Sequence, residues 1–371
     1  MKDILSMNFS EIEGLVTESG QPKYRAEQIF DWLHRRGAKS FDEMENLPKT
    51  LRNELENHCY ITNVSVEEKF LSKNDETEKY LLKLGDAYVE SVRMKYKHGN
   101  SVCISTQAGC KMGCKFCASA ESGFYRNLSA GEMCAQVYNA AGISRHSALD
   151  AKSPGITEDN RGFRAKPAEI RNVVLMGCGE PLDNFDATLR FIELITHPNG
   201  MNISQRNITV STCGLVPQIH ALAKKELQIN LAISLHAPTD EIREKIMPIA
   251  KTFPQRELIS ACRFYTEKTR RRITFEYALS KGLNDIPAHA KFLAKLLHGL
   301  LCHVNLIPIN KARGNFSPTP RRDIEIFASI LKEKNIPTTI RRSLGNDINA
   351  ACGQLRLRRK EIAICPFHHG K

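Results

Sequence analysis

In the stretch Gly109-Cys110-Lys111-Met112-Gly113-Cys114-Lys115-Phe116-Cys117, three cysteines follow one another with the spacing Cys-x3-Cys-x2-Cys. Three thiols this close together make no sensible disulfide framework, because one of them would be left over. A structural zinc site would need a fourth ligand at a matching spacing. Three thiolates on one loop suit a 4Fe-4S cluster that keeps one iron open for a substrate. We therefore predict a cluster on Cys110, Cys114 and Cys117.

Around this loop, short apolar runs alternate with longer helix-like stretches. The apolar runs are Val102–Ser105, Asn172–Met176, Asn207–Thr212, Asn230–His236, Ile273–Leu279 and His303–Ile309. The helix-like stretches are Ser129–Ala141, Leu215–Leu227, Gln255–Thr269, Ile286–Leu297 and Arg322–Glu333. This alternation predicts an α/β fold whose parallel sheet is covered by helices on both faces. Periodicity does not choose between an open sheet and a partial barrel, but either places the active site at the carboxyl ends of the strands.

The N-terminal residues predict a small helical unit, with helices over Phe9–Val16, Tyr24–Arg36 and Lys49–His58. That unit could be a simple packed domain or a module that touches a phosphate backbone. Two alternating runs, 79–84 and 88–96, flank Gly85-Asp86 and predict a β-hairpin. The polar stretch 142–166 predicts a surface loop.

Composition excludes several classes of protein. The 371 residues are 42% hydrophobic and 25% charged, which rules out a disordered chain. No apolar run approaches the roughly 20 residues of a membrane helix, and no secretory signal is evident. The 12 cysteines therefore indicate a reducing cytoplasm rather than a disulfide scaffold. The net charge of +12 favours a nucleic-acid partner over the alternative of an ordinary basic surface.

The cysteine motif resembles that of the radical S-adenosylmethionine (SAM) enzymes, and further motifs resemble the RlmN/Cfr family of ribosomal RNA methyltransferases. These motifs include Val102-Cys103-Ile104-Ser105-Thr106-Gln107-Ala108-Gly109-Cys110, Met176-Gly177-Cys178-Gly179-Glu180-Pro181-Leu182, Ser234-Leu235-His236-Ala237-Pro238 and Asp347-Ile348-Asn349-Ala350-Ala351-Cys352-Gly353-Gln354-Leu355. Tyr24–Leu33 is similar to the family's accessory domain. The motifs run in family order from about residue 20 to residue 355.

The resemblance implies a partial (β/α)6 barrel with a small N-terminal helical accessory domain and a short β-hairpin extension. Four segments follow: 1–65, an RNA-binding accessory domain; 66–100, a hairpin linker carrying Glu90; 101–345, the barrel; and 346–371, a C-terminal segment carrying Cys352. It also implies methylation of carbon 2 of adenosine 2503 in 23S ribosomal RNA, and of carbon 2 of adenosine 37 in some transfer RNAs.

Carbon 8 of the same ribosomal adenosine is the alternative target. The run Gly-Glu-Pro-Leu over 179–182 resembles the carbon-2 branch, since the carbon-8 branch tends to have alanine after the glutamate. A less favoured alternative, from a different class, is a non-catalytic RNA-binding protein that contains zinc.

Individual roles also come from the resemblance. Residues expected to contact SAM are Gly179, Glu180, Ser211, Ser234, Leu235, His236 and Asn310. Taken singly, a serine at a strand end is more often a helix cap or turn residue, and Gly179-Glu180 a turn. Cys352 is expected to accept a methyl group and to link enzyme and RNA transiently. Cys103 is expected to resolve that adduct through a disulfide with Cys352, and Glu90 to accept a proton. The alternative for Glu90 is a side chain that simply points to solvent.

Chemistry explains why such a route is needed. Carbon 2 of adenine is electron-poor and cannot attack a sulfonium methyl group, whereas a carbon radical can add to it. The resemblance implies one 4Fe-4S cluster and two SAM molecules per turnover. It also implies 23S ribosomal RNA and transfer RNA as partners, a reducing donor such as flavodoxin, and a cytoplasmic monomer. The sequence departs from the family at Cys178 (usually methionine), at Cys213 (commonly serine) and in the length of 142–166.

Overall fold

The computed structural model describes residues 1–97, 99–121, 123–143, 169–309, 316–342, 344–348 and 350. The strands are β1 (Lys2–Asp3), β2 (Cys59–Tyr60), β3 (Val64–Leu71), β4 (Glu78–Leu84), β5 (Ala87–Tyr96), β6 (Gly99–Cys103), β7 (Gln107–Gly109), β8 (Phe124–Asn127), β9 (Ile170–Leu175), β10 (Ile208–Thr212), β11 (Asn230–Ser234), β12 (Ile273–Leu279), β13 (Cys302–Pro308) and β14 (Thr338–Ile340). The helices are α1 (Phe9–Glu18), α2 (Tyr24–His34), α3 (Lys49–His58), α4 (Ala130–Ala141), α5 (Phe185–Thr196), α6 (Val216–Ala223), α7 (Asp240–Ile246), α8 (Gln255–Thr269), α9 (Pro287–Leu296) and α10 (Arg321–Glu333).

One 10-stranded sheet organises the molecule, in the order β14-β13-β12-β11-β10-β9-β6-β5-β4-β3. The seven strands from β6 to β14 in this order are parallel, whereas β5, β4 and β3 continue the sheet in antiparallel fashion. Helices α4 to α10 connect the parallel strands, as right-handed β–α–β crossovers require intervening helices. The order is linear, so the described sheet is an open, partial barrel. The predicted α/β fold class is confirmed.

Local signals in the sequence explain where two of these helices begin and end. Asn8 and Glu11 form a reciprocal capping box at the start of α1, and Ser129 and Glu132 form another at the start of α4. Gly142 adopts a left-handed conformation with φ 69° and ends α4. These caps satisfy main-chain groups that would otherwise lack partners at the helix ends.

The N-terminal helices share one hydrophobic core with the barrel. Ile4 and Phe30 are fully buried in the same cluster as Val137 and Phe191 of the barrel helices. A polar contact adds to this apolar packing, because Arg190 of α5 donates a hydrogen bond to Glu11 of α1. The predicted accessory unit is therefore helical and is packed onto the barrel.

The predicted hairpin is present as β4 and β5, which pair in antiparallel register around Gly85. A third antiparallel strand, β3, extends it, and β5 pairs directly with β6 of the barrel. The extension is therefore continuous with the main sheet. The predicted loop 142–166 lies, beyond residue 143, outside the described residues. No helix in the described part of the chain is both long and apolar enough to cross a membrane.

Candidate active site

The three-cysteine loop lies between β7 and β8, just beyond the carboxyl end of β6. The short β7–β8 hairpin holds its two ends together, with Gln107 opposite Asn127. The amide of Cys110 donates to the carbonyl of Gly123 at 2.8 Å, and the amide of Lys115 donates to the carbonyl of Ile246, the last residue of α7, at 2.9 Å. Main-chain bonds thus fasten both halves of the loop.

The thiols of this loop lie near one another in a shielded place. Cys110 is buried, and Cys114 and Cys117 are half-buried. Burial, with a smaller contribution from the charge of Cys117, raises the pKa of Cys110 to about 12. Burial, then Cys117 and Cys110, likewise raise the pKa of Cys114. Three thiolates at this site would therefore need a positively charged group to hold them in the ionised form that binds metal.

The charge beside the loop tests whether the loop fits an iron–sulfur cluster. Among the described residues, no three Cys, His, Asp or Glu side chains form a group that could hold a metal ion. The charge of the buried Arg243 acts on the pKa of Cys114, and its Nε atom has no hydrogen-bond partner in the described structure. A buried guanidinium near the loop suits an anionic cluster.

The segment after β9 packs directly on the residues that precede the cysteine loop. A Cβ atom on Gly179, which has φ +105°, would lie 2.6 Å from the Cβ of Gln107. The amide of Glu180 donates to Oε1 of Gln107 at 2.8 Å. Only glycine permits this approach, so the predicted SAM-contacting residues Gly179 and Glu180 lie beside the cysteine loop.

Glu180 is buried, and its carboxylate oxygens accept main-chain amides. One oxygen accepts from Cys213 at 2.7 Å and the other from Leu182 at 3.0 Å. Burial raises the pKa of Glu180, while these two amides act in the opposite direction. The carboxylate therefore joins the segment after β9 to the segment after β10, in addition to its predicted contact with SAM.

The remaining predicted SAM-contacting residues lie at neighbouring strand ends. Ser211 and Ser234 are half-buried near the carboxyl ends of β10 and β11, whose strands are paired. The side chain of Leu235 is fully buried in the core, so only its main chain is available to a ligand. Asn310 lies outside the described residues.

His236 contacts the cysteine loop through Phe116, whose ring meets the imidazole edge-on with centroids 4.7 Å apart. Its Nδ1 accepts the amide of Ala278 at 3.0 Å, which leaves the ring proton on Nε2. Burial lowers the pKa of His236 to about 3, and the charge of Arg243 contributes. His236 is therefore a neutral, oriented side chain at the carboxyl edge of the sheet.

Cys103 and Glu90 lie on one face of the sheet. Cys103 of β6 is opposite Val92 of β5, and Glu90 lies two residues from Val92, so the three side chains share that face. The Oγ of Ser105 donates to the carbonyl of Glu90 at 2.7 Å and accepts the amide of Cys178 at 2.9 Å. These two hydrogen bonds join the main chain of Glu90 to the segment beside the cysteine loop. Glu90 is 4% exposed, so the alternative of a solvent-facing side chain is wrong.

The C-terminal segment approaches the same face. Ala350 packs in one apolar cluster with Val92, Met94 and Cys103. Cys352, two residues further along the chain, lies outside the described residues. The ten cysteines within the described part are all free thiols. Burial raises the pKa of Cys178 to about 11 and raises that of Cys213 well above its usual value, which keeps both extra thiols protonated.

Two residues of this region were not predicted from the sequence. Lys79 forms a buried ion pair with Glu90, and the charge of the buried Arg243 acts on Cys114 of the cysteine loop. Arg243 donates to the carbonyl of Cys213 at 2.6 Å. In the sequence, both residues look like ordinary surface charges. Only their positions within a short strand pattern and a short helix pattern could have indicated that they are buried.

An open sheet of parallel strands with a three-cysteine loop after the first of them defines the radical SAM class of enzymes, and residues 104–293 match the family model of the radical SAM superfamily. Residues 2–61 match the model described as the ribosomal RNA large subunit methyltransferase N-terminal domain. The chain belongs to the RlmN family of radical SAM RNA methyltransferases.

Individual relatives support this membership. The chain is 48% identical over 360 residues to a protein of Clostridium tetani, covering 96% of this chain and 97% of that protein, and 50% identical over 357 residues to one of Alkaliphilus oremlandii, covering 95% and 97%. Both are named "Probable dual-specificity RNA methyltransferase RlmN". The crystal structure of a radical SAM methyltransferase from Sphaerobacter thermophilus has a TM-score of 0.85 and 42% identity, covering 96% of this chain and 99% of that one. The alternative of a non-catalytic zinc protein is thereby set aside.

Proposed function

We propose that this enzyme methylates carbon 2 of adenosine 2503 in 23S ribosomal RNA and carbon 2 of adenosine 37 in some transfer RNAs. One observation carries the proposal: Ala350, two residues before Cys352, packs against Cys103 on the sheet face that also carries Glu90. A route that needs two thiols and a carboxylate requires them at one place. Two relatives are named dual-specificity RNA methyltransferases, which supports more than one RNA substrate. The N-terminal family model, described as that of a ribosomal RNA large subunit methyltransferase, supports ribosomal RNA as one of them.

The chain would hold its cofactors with residues that fit them. Cys110, Cys114 and Cys117 hold the 4Fe-4S cluster, and the strand ends around Gly179, Ser211, Ser234 and His236, together with Glu180, Leu235 and Asn310, hold SAM. When bound, the cluster and SAM supply a methyl group and, from a second SAM molecule, a radical that abstracts hydrogen. The buried site keeps water away from such a reactive group.

The protein side of the reaction rests on three residues. The thiolate of Cys352 takes the methyl group. The carbon of that methyl group, after hydrogen abstraction, forms the bond to carbon 2 of the adenine ring. Glu90 accepts the proton that leaves carbon 2. The thiolate of Cys103 attacks the sulfur of Cys352 and forms a disulfide while the sulfur–carbon bond breaks. The electron pair of that bond stays with the carbon, which takes up a proton and leaves as the methyl group of the RNA. An external reductant then restores both thiols, and a reducing electron donor such as flavodoxin is a further partner.

The proposed setting is the cytoplasm, with the enzyme acting as a monomer. Free thiols at all ten described cysteines suit a reducing compartment. The net charge of +12 favours contact with RNA phosphates, and the adenosine must be turned out of its stack to reach a buried face.

Cys352→Ala tests the covalent route on ribosomal RNA that lacks the modification. We expect product to disappear while iron and sulfide content stay unchanged, because Cys352 is not a cluster ligand. Cys103→Ala should instead accumulate protein covalently attached to RNA. Cys302→Ala, a buried thiol in β13, is the matched control and should retain activity.

Mass spectrometry of the digested RNA separates the two possible sites of methylation. A product carrying 2-methyladenosine supports the proposal, whereas 8-methyladenosine would establish the alternative regiochemistry. Methylation by the Cys352→Ala variant would show that the covalent route is wrong.

A further inference from the structure

A lysine and a glutamate form an ion pair in the interior of the sheet. Nζ of Lys79 lies 2.7 Å from Oε1 of Glu90, and the two side chains are 1% and 4% exposed. Lysine is almost never fully buried unless it is paired. An ion pair this deep adds little stability over apolar residues of the same volume, because both charges lose their hydration. The pair is therefore a candidate for a role in the reaction.

Its position links it to the proposed chemistry. Lys79 of β4 lies opposite Val92 of β5, and Val92 lies opposite Cys103 of β6. The three side chains form a row across one face, with Glu90 two residues further along β5. The charge of Glu90 also reaches Cys178, whose pKa it raises, so the carboxylate lies near the segment beside the cysteine loop.

The lysine solves a physical problem for a buried base. A carboxylate taken out of water alone favours its neutral form, and a carboxylic acid that already holds a proton cannot accept another. An ammonium group in hydrogen-bond contact favours the ionised form and fixes one oxygen in space. Lys79 supplies an ammonium group to Glu90 at this face.

We propose that Lys79 is a positioning residue that keeps Glu90 ionised and oriented for its proton transfer. The inference rests on the proposed function, in which Glu90 acts on the RNA–protein adduct. In that step the carbon 2–hydrogen bond breaks, the proton moves to a carboxylate oxygen of Glu90, and the bonding electron pair stays with the adenine ring. The unpaired electron that radical addition left on the ring passes to a one-electron acceptor of the iron–sulfur type. The ammonium of Lys79 keeps its charge throughout.

Lys79→Met should block one step and spare the one before it. We expect Cys352 to be methylated as in the unaltered enzyme, as seen by protein mass spectrometry. Resolution of the RNA adduct should slow on the order of 100-fold, so that protein–RNA conjugate accumulates on denaturing gels. Glu90→Gln should accumulate the same conjugate, and Lys79→Arg, which keeps the positive charge, should release RNA faster than Lys79→Met. Lys95→Met, which removes an exposed ion pair with Glu76 in the same hairpin, is the control.

The outcomes separate this inference from the proposed function. If the unaltered enzyme methylates Cys352 and forms a conjugate, but Lys79→Met releases RNA at the same rate, Lys79 has no such role. Equal loss of Cys352 methylation and of release in Lys79→Met would also overturn it, because that indicates a general defect in folding. If the unaltered enzyme forms no conjugate, the proposed function fails and this inference fails with it.

A second measurement uses the protein without cluster or RNA. The pairing predicts that Lys79→Met and Glu90→Gln each lower the melting temperature. Lys79→Met leaves the buried Glu90 carboxylate without this counterion, and Glu90→Gln does the same to the buried Lys79 ammonium. The double variant should melt above the lower of the two single variants. A double variant that loses the sum of the two single effects would show that the groups are not coupled, and would contradict the proposal.

Discussion

At the scale of single residues, Gly109 shows how one position controls the metal-binding loop. It has φ +77°, and a Cβ atom there would lie 1.8 Å from the carbonyl oxygen of Gly123. That same carbonyl accepts the amide of Cys110. No side chain fits without moving the main chain that carries the first cluster cysteine.

Gly109→Ala should therefore lower the free energy of unfolding by more than about 3 kcal/mol and reduce cluster assembly. The matched control is Gly85→Ala, where φ is +58° and no atom lies within 4 Å of the added Cβ. That variant carries only the conformational cost of about 1 kcal/mol. Iron and sulfide per chain, together with melting temperature, distinguish the two. Equal iron content in both variants would refute the steric argument.

At the scale of elements, the C-terminal segment is fastened to the turn between β3 and β4. The carboxylate of Asp347 accepts from the Ser72 hydroxyl at 2.8 Å and from the Lys73 amide at 2.7 Å. The amide of Gly345 donates to Asp75 at 2.9 Å. The Lys73 amide and Ser72 hydroxyl lower the pKa of Asp347, so the fastening group is charged at neutral pH.

Asp347→Ala should loosen this segment and slow methylation of RNA on the order of tenfold, because Cys352 follows five residues later. Cluster content should not change, since Asp347 is far along the chain from the cysteine loop. Alkylation of Cys352 by iodoacetamide, followed by peptide mass spectrometry, should become faster. Glu76→Ala, at the same turn, is the control. Unaltered turnover in Asp347→Ala would show that the fastening is irrelevant to function.

At the scale of the whole molecule, the accessory helices and the barrel meet around a buried histidine. Nδ1 of His34 in α2 lies 2.7 Å from the hydroxyl of Tyr138 in α4. The His34 ring also packs on Phe30, with centroids 4.2 Å apart. Burial lowers the pKa of His34 from 6.5 to about 3, so the side chain is neutral in the folded protein.

Acid should therefore weaken the junction. Because the folded-state pKa of about 3 lies below the ordinary 6.5, the unfolded chain binds the proton first as pH falls. The contribution of His34 is complete above pH 6.5 and declines toward pH 3, amounting to a loss of about 2 kcal/mol by pH 5. Denaturant unfolding at pH 7 and pH 5 measures it. His34→Gln should lose less stability over that interval, and an equal loss would contradict the assignment.

Elements with strong local signals were predicted closely from the sequence. The helix over Gln255–Thr269 and the strand over Ile273–Leu279 have the predicted bounds. Others carried weak signals. Strand β3 is an edge strand with no fully buried residue and a bulge after Val66. Helix α7 has a charged residue, Arg243, on its buried face, so its sequence lacks a clear apolar pattern. Helix α5 begins after Asn184, whose side chain bonds to Thr106 and Leu128 instead of capping the helix.

The candidate site divides in the same way. Cysteine spacing and glycine-rich motifs are local, so Cys110, Cys114, Cys117, Gly179 and Glu180 could be read directly from the sequence. Lys79 could not, because alternation along a strand assigns a lysine to solvent, whereas here both faces of β4 are covered. Pairing between strands decides such cases, and pairing is not written in any single segment.

The sequence alone determined the α/β class, the three-cysteine loop and the family resemblance. Each of these depends on short motifs whose residues lie within a few positions of one another. Only the tertiary structure decided that Glu90 is buried against Lys79, that the charge of the buried Arg243 acts on Cys114, and that Ala350 reaches the face of Cys103. These contacts join residues that are distant in the chain, and they form because packing in one shared core outweighs the local preference of charged groups for water.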